Sequence, residues 1–489
     1  MKRILIIPLI LLFVYQAIIA QTNSREAEQR LGVTFIDRDK VDDSYRLYSS
    51  RNLTSAHLIS SGGKYVHSWY YPHFEDSVTS NFGGFGMSWH YAEMLPNGNL
   101  IAIVKDEMII EIDWNSNLVW KAKLRAHHDF ARGDQGNTVV VSRRDKPDPW
   151  RTGETIAFDE LIEYNREGNV IWTWYYEEHM GDLKELIGVV PEPVSDWKDF
   201  PHVNTVEILP ENPLYNKDKR FKPGNLLICG RHANLIMIID RESKDIVWAW
   251  GPGIIEGPHM PTMLPDGNIL IYDNGNQMAS NSRGFTKAVE INPLSEEIVW
   301  EYGHPGGFFS PARGSALRMT GGNTLIATSD YGWFFEITPE GERTWEYYNP
   351  DLGSGGSRMG LYRTLPYEKK LVDNLLDDNN GRYYSRPGKD KYKKKYNLSG
   401  HLMKVVDWIE TGYLDKAYRW LNDNGLEVID AKETHLAYSL LFSARGNIYR
   451  SADHMRKAIE AGASKEVFSE GFSDLFKALI QHPSFSSAK

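Results

Sequence analysis

The sequence predicts an all-β six-bladed propeller followed by a small all-α C-terminal domain. The first reason is a repeated phrase, in which a histidine is followed nine positions later by the Asn of a Pro-x-Gly-Asn-like turn. Its clearest copies run from His90 to Asn99, from His128 to Asn137 and from His259 to Asn268. The second reason is that an apolar run and then a tryptophan follow each turn. The five tryptophans are Trp120, Trp172, Trp248, Trp300 and Trp345. Repetition at about 40–50 residues, with four short strands in each unit, is typical of a β-propeller.

Two further copies of the phrase are irregular. In one, His202 precedes an insertion around Pro210–Lys222, which delays the turn to Gly224-Asn225. In the other, Gly314 replaces the histidine and the turn falls at Gly322-Asn323. The five copies therefore predict five consecutive blades.

The sixth blade is expected to form from both ends of the repeat region. Ala56–Tyr71 has the pattern of a hairpin, the second half of a blade with no first half before it. Gly360–Pro366 follows the fifth repeat and can supply a strand to the same sheet. Pairing the two ends would close the ring and remove an exposed sheet edge.

The composition changes along the chain and divides it into segments. Met1–Ala20 places Lys2-Arg3 before an apolar run, which predicts a secretory signal peptide. Strand signals end near Tyr367, and apolar residues follow helical spacing from Leu402 onward. The predicted segments are a signal peptide at 1–20, a flexible segment at 21–43, the propeller at 44–366, a linker at 367–400 and a helical domain at 401–489. We expect the helical domain to fold separately and regard it as a candidate docking module for a protein partner.

Charge and cysteine content narrow the class of protein further. The formal net charge is -10 at pH 7, which argues against a nucleic-acid partner. Cys229 is the only cysteine, so no intrachain disulfide can form. Together with the signal peptide, this predicts a secreted or periplasmic protein that is stabilised by a large core.

The repeated histidines are expected to converge. In a propeller, the innermost strand of each blade lines the central channel, and residues at the same phase of the repeat surround one axis. His90, His128, His202 and His259 share that phase. A hydrophobic core needs no imidazole at the same phase of successive blades, so four histidines in register indicate a polar site in the channel.

Short motifs around these histidines point to a family. They are His127-His128-Asp129, His202-Val203-Asn204, Gly230-Arg231-His232, Gly257-Pro258-His259 and Tyr272-Asp273-Asn274-Gly275. At these residues the chain resembles the arylsulfotransferase family, whose members are six-bladed propellers that move a sulfuryl group between phenols without a nucleotide donor. The resemblance covers Ala56–Pro366.

The resemblance implies a role for each matching residue. His259 matches the nucleophilic histidine that is transiently sulfated, and His128 matches the histidine that handles the phenolic proton. His202 and Arg231 match the pair that grips the sulfuryl oxygens. Asn204 matches the polar residue of the His-x-Asn motif and is a predicted substrate-binding residue.

Three more histidines lie close to these positions. His90 is an additional channel histidine with no role implied by the family, and we expect it to bind substrate. His127 and His232 adjoin predicted site residues. Because neighbouring residues of a strand face opposite sides, we expect both to point away from the channel.

The chemistry of sulfuryl transfer suits these residue types independently. The transferring group carries negative charge on its equatorial oxygens, which cationic donors such as Arg231 stabilise. A neutral imidazole is a competent nucleophile, and a covalent intermediate divides one difficult displacement into two easier ones. We therefore expect small aryl sulfate and phenolic substrates and no metal or other cofactor.

Two other functions remain open from the sequence. The propeller could bind a ligand or protein without catalysis, with the helices as the docking module. Alternatively, the ring of histidines could hold a metal ion for a metal-dependent reaction. A quinone-dependent dehydrogenase is disfavoured, because that class usually has more blades.

Overall fold

The computed structural model describes residues 30–51, 53–71, 88–133, 135–193, 198–276, 282–352, 357–379, 396–468 and 472. The predicted signal peptide and the basic run Lys389–Lys395 lie outside these residues. Within the described part of the chain, six β-sheets form the blades of a propeller, and the helices of the C-terminal region follow them. The predicted fold class is therefore confirmed.

The strands follow the chain from blade to blade. The first four are β1 (Gly32–Ile36), β2 (Tyr45–Ser50), β3 (Ser55–Ile59) and β4 (Tyr65–Tyr70). Blade 1 comprises β5 (Trp89–Met94), β6 (Leu100–Val104), β7 (Met108–Ile112) and β8 (Leu118–Lys123). Blade 2 comprises β9 (Phe130–Arg132), β10 (Thr138–Pro147), β11 (Thr155–Tyr164) and β12 (Val170–Tyr175), with the short β13 (Asp199–Phe200) parallel to β11.

The remaining blades repeat the same order. Blade 3 comprises β14 (Val203–Ile208), β15 (Leu226–Gly230), β16 (Leu235–Ile239) and β17 (Ile246–Trp250). Blade 4 comprises β18 (His259–Met263), β19 (Ile269–Asp273), β20 (Lys287–Asn292) and β21 (Glu297–Tyr302). Blade 5 comprises β22 (Ser315–Arg318), β23 (Thr324–Thr328), β24 (Trp333–Ile337) and β25 (Arg343–Tyr348), and β26 (Leu361–Tyr367) is the last strand.

The sixth blade, called here the closing blade, combines both ends of the propeller. Its strand order is β26-β2-β3-β4, so the last strand is innermost and pairs antiparallel with β2. The ring is thereby closed by hydrogen bonds, as predicted. β1 lies within the segment 21–43 that was predicted to be flexible, but it pairs with β25 on the outer edge of blade 5.

The Asn that recurs in the first turn of the repeat has a structural role in three blades. In three blades, the Asn of the first turn donates from Nδ2 to a glutamate on the third strand, which fixes the turn against the sheet. The pairs are Asn99 with Glu111 at 2.7 Å, Asn268 with Glu290 at 2.8 Å and Asn323 with Glu336 at 2.6 Å.

The repeated tryptophans join neighbouring blades. Each lies on an outer strand, and the indoles of three of them reach the last turn of the next blade. Three such hydrogen bonds run from Trp172 Nε1 to Arg241 O (3.2 Å), from Trp300 Nε1 to Pro339 O (2.8 Å) and from Trp345 Nε1 to Ser61 O (2.6 Å). The bulky rings also fill the wedge between adjacent sheets.

Helices occupy three places in the chain. A helix α1 (Met180–Ile187) follows β12, and α2 (Lys369–Asp378) lies within the predicted linker. The C-terminal helices are α3 (Gly400–Glu410), α4 (Leu414–Val428), α5 (Ala431–Ala444) and α6 (Ile448–Glu460), and short 3₁₀ turns occur at Tyr176–Glu178, Lys219–Phe221 and Ser329–Tyr331. None of the described helices has the length and apolar character required to cross a membrane.

The C-terminal helices share a core with the propeller. One cluster of buried side chains includes Leu402 and Leu440 of the helices together with Tyr65, Phe334 and Trp345 of the blades. The sequence predicts a helical unit that folds separately, and this shared core differs from that expectation. The physical reason is that helical periodicity identifies an apolar face but does not identify what the face packs against.

Candidate active site

Three of the predicted channel histidines are in contact, and the fourth, His259, lies close enough to His202 for their charges to interact. His90 lies on β5 and His259 opens β18, whereas His128 and His202 immediately precede β9 and β14. The ring of His128 lies 4.4 Å from that of His90 and 4.5 Å from that of His202, measured between centroids. Three successive blades therefore place imidazoles in contact, although the residues are far apart in sequence.

Two of these histidines adopt an unusual backbone conformation. The φ angles are 61° at His128 and 63° at His202, in the left-handed region that residues other than glycine rarely enter. Both residues stand at the entry to an innermost strand. The left-handed turn interrupts the regular alternation of side chains there, so the pattern of a continuous strand does not apply at these positions.

His259 is held in a single orientation. Its Nδ1 lies 2.6 Å from Asn274 Oδ1 and 3.1 Å from Gly257 O. The amide of Asn274 is itself oriented, because its Nδ2 donates to Ser310 O at 2.6 Å and to Arg313 O at 2.7 Å. Since both partners of Nδ1 are acceptors, His259 carries its proton on Nδ1 and keeps a lone pair on Nε2.

Electrostatics keep the His259 imidazole neutral. The side chain is only 1% exposed, and burial, followed by the positive charge of Arg231, holds its pKa well below the usual value for histidine. A neutral ring with a free Nε2 lone pair is the form of histidine that attacks electrophiles. The structure thus places a neutral imidazole, with a lone pair on Nε2, beside a cation.

Arg231 provides that cation. It is 6% exposed, its backbone N–H donates to His202 O at 3.1 Å, and Nη2 donates to Pro311 O at 3.4 Å. Burial and the neighbouring charge of Arg313 lower the pKa of Arg231 to about 10, so the side chain stays charged at neutral pH. The arginine therefore places its positive charge beside His202 and His259.

His202 belongs to a chain of polar groups. Its Nδ1 lies 2.7 Å from Asp199 Oδ2, and the same carboxylate oxygen lies 3.2 Å from Nη1 of Arg143. Arg143 also donates Nη2 to both oxygens of Asp106, each at 2.7 Å. Burial opposes ionisation of Asp199, but His202 and Arg143 outweigh it, and the pKa of Asp199 is lowered. The carboxylate therefore stays charged and orients His202.

His127 and His232, which were predicted to point away from the channel, each contact a predicted site histidine. His127 Nδ1 lies 2.6 Å from His128 Nδ1. The ring of His232 stacks on that of His202, with centroids 4.3 Å apart. Strand alternation does not describe these positions, because His128 and His202 have left-handed φ angles and His232 lies in the turn that follows β15.

Asn204 lies at the site but faces its scaffold. It falls at a bulge between Val203 and Thr205, is completely buried, and donates Nδ2 to Pro258 O at 2.8 Å. Its Oδ1 accepts from Thr205 Oγ1 at 2.9 Å. These contacts fix the loop that leads into His259, and the substrate-binding role of Asn204 stays a prediction.

Arg313 is a site residue that the sequence analysis missed. Its charge lowers the pKa values of both His90 and Arg231, after the larger effect of burial in each case. Its Nη1 lies 2.6 Å from Asp330 Oδ1, and Arg51 Nη1 lies 3.6 Å from the same oxygen. Two arginines thus share one carboxylate and leave excess positive charge. The signal in the sequence was its position immediately before Gly314, the residue at the histidine phase of the fifth repeat.

A buried ion pair ties together the innermost strands of three blades. Arg363 of β26 lies 2.9 Å from Asp129 Oδ2 through Nη1, and its Nη2 donates to Asn204 O at 2.6 Å. The rings of Tyr91 and Tyr362 flank its guanidinium at 4.8 and 4.9 Å. Tyr362 in turn contacts His90, with ring centroids 4.6 Å apart. These contacts stabilise the inner strands that carry the channel histidines.

By its fold and site, this protein is a six-bladed propeller whose central channel ends in histidine and arginine side chains. Residues 68–257 match the family model described as Arylsulfotransferase (ASST). The match and the six blades fit the arylsulfotransferase family, as the sequence resemblance predicted. The matched segment includes His90, His128, His202, Asn204 and Arg231, and it ends just before His259.

Solved structures resemble the chain only remotely. One is a protein of unknown function from Bacteroides caccae, with a TM-score of 0.42 and 12% identity, covering 67% of this chain and 100% of that one. Another is streptogramin B lyase, with a TM-score of 0.37 and 10% identity, covering 70% and 99%. A third is the Dos1 propeller, with a TM-score of 0.35 and 10% identity, covering 68% and 78%. No curated protein matches the chain.

Proposed function

We propose that this protein is a sulfotransferase that moves a sulfuryl group from an aryl sulfate to a phenolic acceptor through a sulfated His259. The observation that carries the proposal is the fixed, neutral imidazole of His259, whose Nδ1 is bound by Asn274 and whose Nε2 is available beside Arg231. The match to the arylsulfotransferase family supports the transferase class.

The first half-reaction begins with attack by His259. Nε2 forms a bond to sulfur while the bond from sulfur to the phenolic oxygen breaks. Arg231 and His202 face the developing negative charge on the sulfuryl oxygens, where oriented cationic donors have their largest effect. Asp199 holds the ring of His202 in place through Nδ1 at 2.7 Å.

The second half-reaction reverses the first with a new phenol. The phenolic oxygen attacks sulfur, the bond from sulfur to His259 Nε2 breaks, and the phenolic proton passes to His128. By microscopic reversibility, the proton that the acceptor gives up is the one that the departing phenolate needs in the next cycle. Proton transfer of this kind contributes about 10²–10⁴-fold to the rate.

Three proposals accompany the enzymatic one. The protein works after export, as a secreted or periplasmic enzyme, because Met1–Ala20 has the pattern of a signal peptide. Its substrates are small aryl sulfates and phenols. The C-terminal helices are a candidate contact surface for a protein partner, since Leu426 of α4 is 71% exposed.

The decisive experiment is an assay of the purified protein with a chromogenic aryl sulfate, with and without added phenol. We expect colour release that depends on the phenol, together with a sulfated acceptor. Absence of turnover over a broad panel of aryl sulfates and phenols would favour the alternative, a propeller that binds a ligand or partner without catalysis.

A metal-dependent reaction is tested separately by metal analysis. Among the described residues, the group whose ligand atoms lie close enough to hold a metal is His179, Asp182 and Asp245, beside the outer edge of blade 2. The channel histidines are not in that group. A stoichiometric metal that is lost when His128 or His202 is replaced would favour the metal-dependent alternative.

A further inference from the structure

His127 lies enclosed between a carboxylate and the channel. It is completely buried, its Nε2 is 3.1 Å from Asp159 Oδ1, and its Nδ1 is 2.6 Å from His128 Nδ1. The contact with Asp159 is within ion-pair distance but off the line of a good hydrogen bond. Within the described part of the chain, neither His127 Nε2 nor Asp159 Oδ1 has another hydrogen-bond partner. The carboxylate therefore acts on His127 chiefly through its charge.

The surrounding contacts fix the tautomers of both histidines. Asp159 is 1% exposed, and its Oδ2 accepts from the backbone N–H of Val203 at 2.8 Å, which holds the carboxylate towards His127. The proton of neutral His127 then lies on Nε2, facing the negative charge. Its Nδ1 can only accept, so His128 must donate from Nδ1, and His128 keeps a lone pair on Nε2.

We infer that Asp159 and His127 form a proton relay behind His128, an inference that rests on the proposed sulfuryl transfer. As the acceptor phenol attacks sulfur, its proton moves to His128 Nε2. The Nδ1 proton of His128 passes to His127 Nδ1, and the positive charge comes to rest on His127 beside Asp159. The bond from oxygen to sulfur forms while the bond from sulfur to His259 breaks, so that charge and atoms balance.

The relay moves the positive charge from His128, where its surroundings oppose it, to His127 beside a carboxylate. His128 is surrounded by His90 and His202, and burial followed by these neighbours opposes a charge on its ring. A proton retained on His128 would also add charge beside Lys105, which likewise disfavours the charged form. On His127 the same charge lies 3.1 Å from a carboxylate. An ion pair within a buried site is far stronger than one in water.

The relay also returns the proton in the other half-reaction. When His127 is charged, its Nδ1 donates to His128 Nδ1, and His128 then carries its proton on Nε2, directed to the departing phenolate. His127 and Asp159 are therefore positioning residues that set which form of His128 faces the substrate. His127 also faces Asp199 and His90, which contribute to its electrostatic surroundings.

The first test varies the acidity of the acceptor in Asp159→Asn. We expect sulfuryl transfer to a weakly acidic phenol to fall by about 100-fold or more, and transfer to an acidic nitrophenol to fall only a few-fold, because an acidic phenol needs less proton assistance. His127→Gln keeps a polar side chain but cannot carry the charge, and should show the same dependence. An equal loss for all acceptors in both variants would overturn the relay.

Asp182→Asn is the matched control. Asp182 contacts His179 at 3.1 Å and accepts from the backbone N–H of Ile246 at 3.0 Å, which parallels Asp159 but lies outside the channel. We expect the rate of sulfuryl transfer by Asp182→Asn to depend on acceptor acidity in the same way as that of the unmodified protein. The same dependence in this control as in Asp159→Asn would show that the effect does not belong to the relay.

A second test requires no substrate. In protein labelled with ¹⁵N-histidine, with His128→Asn used for assignment, the His128 signal should show the Nδ1–H tautomer at high pH, where the relay has lost its extra proton. Under the same conditions Asp159→Asn should show the Nε2–H tautomer. An unchanged tautomer would overturn the inference. If the unmodified protein transfers no sulfuryl group, the proposed function fails, while the tautomer measurement still decides whether Asp159 controls His128.

Discussion

Arg445 and Asp415 form an ion pair that is buried between the C-terminal helices and the propeller. Nη2 of Arg445 lies 2.5 Å from Oδ1 of Asp415, and the two side chains are 0% and 7% exposed. Tyr347 donates to Asp415 Oδ2 at 3.1 Å and Tyr65 donates to Oδ1 at 3.4 Å. Because these tyrosines belong to blade 5 and the closing blade, the pair attaches the helices at the point where the ring closes.

Breaking this pair should destabilise the whole protein. Arg445→Met leaves the Asp415 carboxylate buried without its cation, and loss of one partner of a buried pair typically costs about 3–5 kcal/mol. We expect a clearly lower midpoint of denaturant unfolding. Arg456→Met is the control, because the contacts of Arg456 with Asp453 and Glu460 are exposed. Equal midpoints for the two variants would contradict the importance of the buried pair.

Removal of the helices should impair folding of the propeller. A chain that ends at Asp378 loses α3–α6 and exposes Tyr48, Tyr65 and Tyr347, whose hydroxyl groups meet under the helices. The shared apolar core would then face water. We expect an aggregated or less stable product, judged by soluble yield and thermal unfolding. A monomeric product with unchanged thermal stability would show that the propeller folds without its helices.

Replacement of the proposed nucleophile should remove the covalent intermediate. His259→Asn should abolish transfer and also abolish the acid-labile sulfated enzyme that forms from donor alone. The measurement is mass spectrometry after brief exposure to an aryl sulfate, with handling that avoids acid. Turnover that persists in this variant, or a sulfuryl group found reproducibly on another residue, is the result that would exclude His259.

Asn274 should determine how well His259 reacts. Asn274→Leu removes the acceptor that holds the Nδ1 proton at 2.6 Å. It also removes the contact with Ser310 O. Only Gly257 O, at 3.1 Å, then accepts the Nδ1 proton, so the His259 ring more readily adopts the tautomer with Nε2–H, which cannot attack. We expect the rate of enzyme sulfation to fall by about 10–100-fold, less than for loss of a direct oxyanion donor, with little change in donor KM. A change confined to KM would argue against this role.

His67 should make stability depend on pH. Burial lowers its pKa to about 3, and its Nε2 donates to Trp114 O at 2.9 Å. The folded state keeps this ring neutral, whereas the unfolded chain binds a proton below about pH 6.5. Its contribution to stability is therefore lost as pH falls from 6.5 towards 3, at about 1.4 kcal/mol per pH unit.

The test of that dependence compares His67→Gln with the unmodified protein. Unfolding free energies measured at pH 7 and pH 5.5 should differ less in the variant, because it no longer gains a proton on unfolding at position 67. The comparison between the two proteins cancels the contributions of other buried histidines and carboxyl groups. An identical pH dependence in both would show that His67 is charged in the folded state.

The sequence by itself determined the propeller and the phase of its histidines. Asn99, Asn268 and Asn323 recur because each fixes an equivalent turn, and Trp172 and Trp345 recur because each reaches the next blade. Equivalent units around one axis must place equivalent residues together, so the repeat alone predicts that histidines gather in the channel.

Only the tertiary structure decided how the site is organised. Asp159 reaches His127 from another strand, Asn274 reaches His259 across a loop, and Arg313 enters beside a glycine, none of which follows from periodicity. The left-handed φ of 61° at His128 interrupts the regular alternation of side chains that the sequence pattern assumes. The same holds for the helices, whose apolar faces were evident from spacing, although their attachment through Asp415 depends on residues brought together only by the closed ring. Local sequence patterns predict which face of an element is buried, whereas the residues that it packs against are determined by contacts between distant parts of the chain.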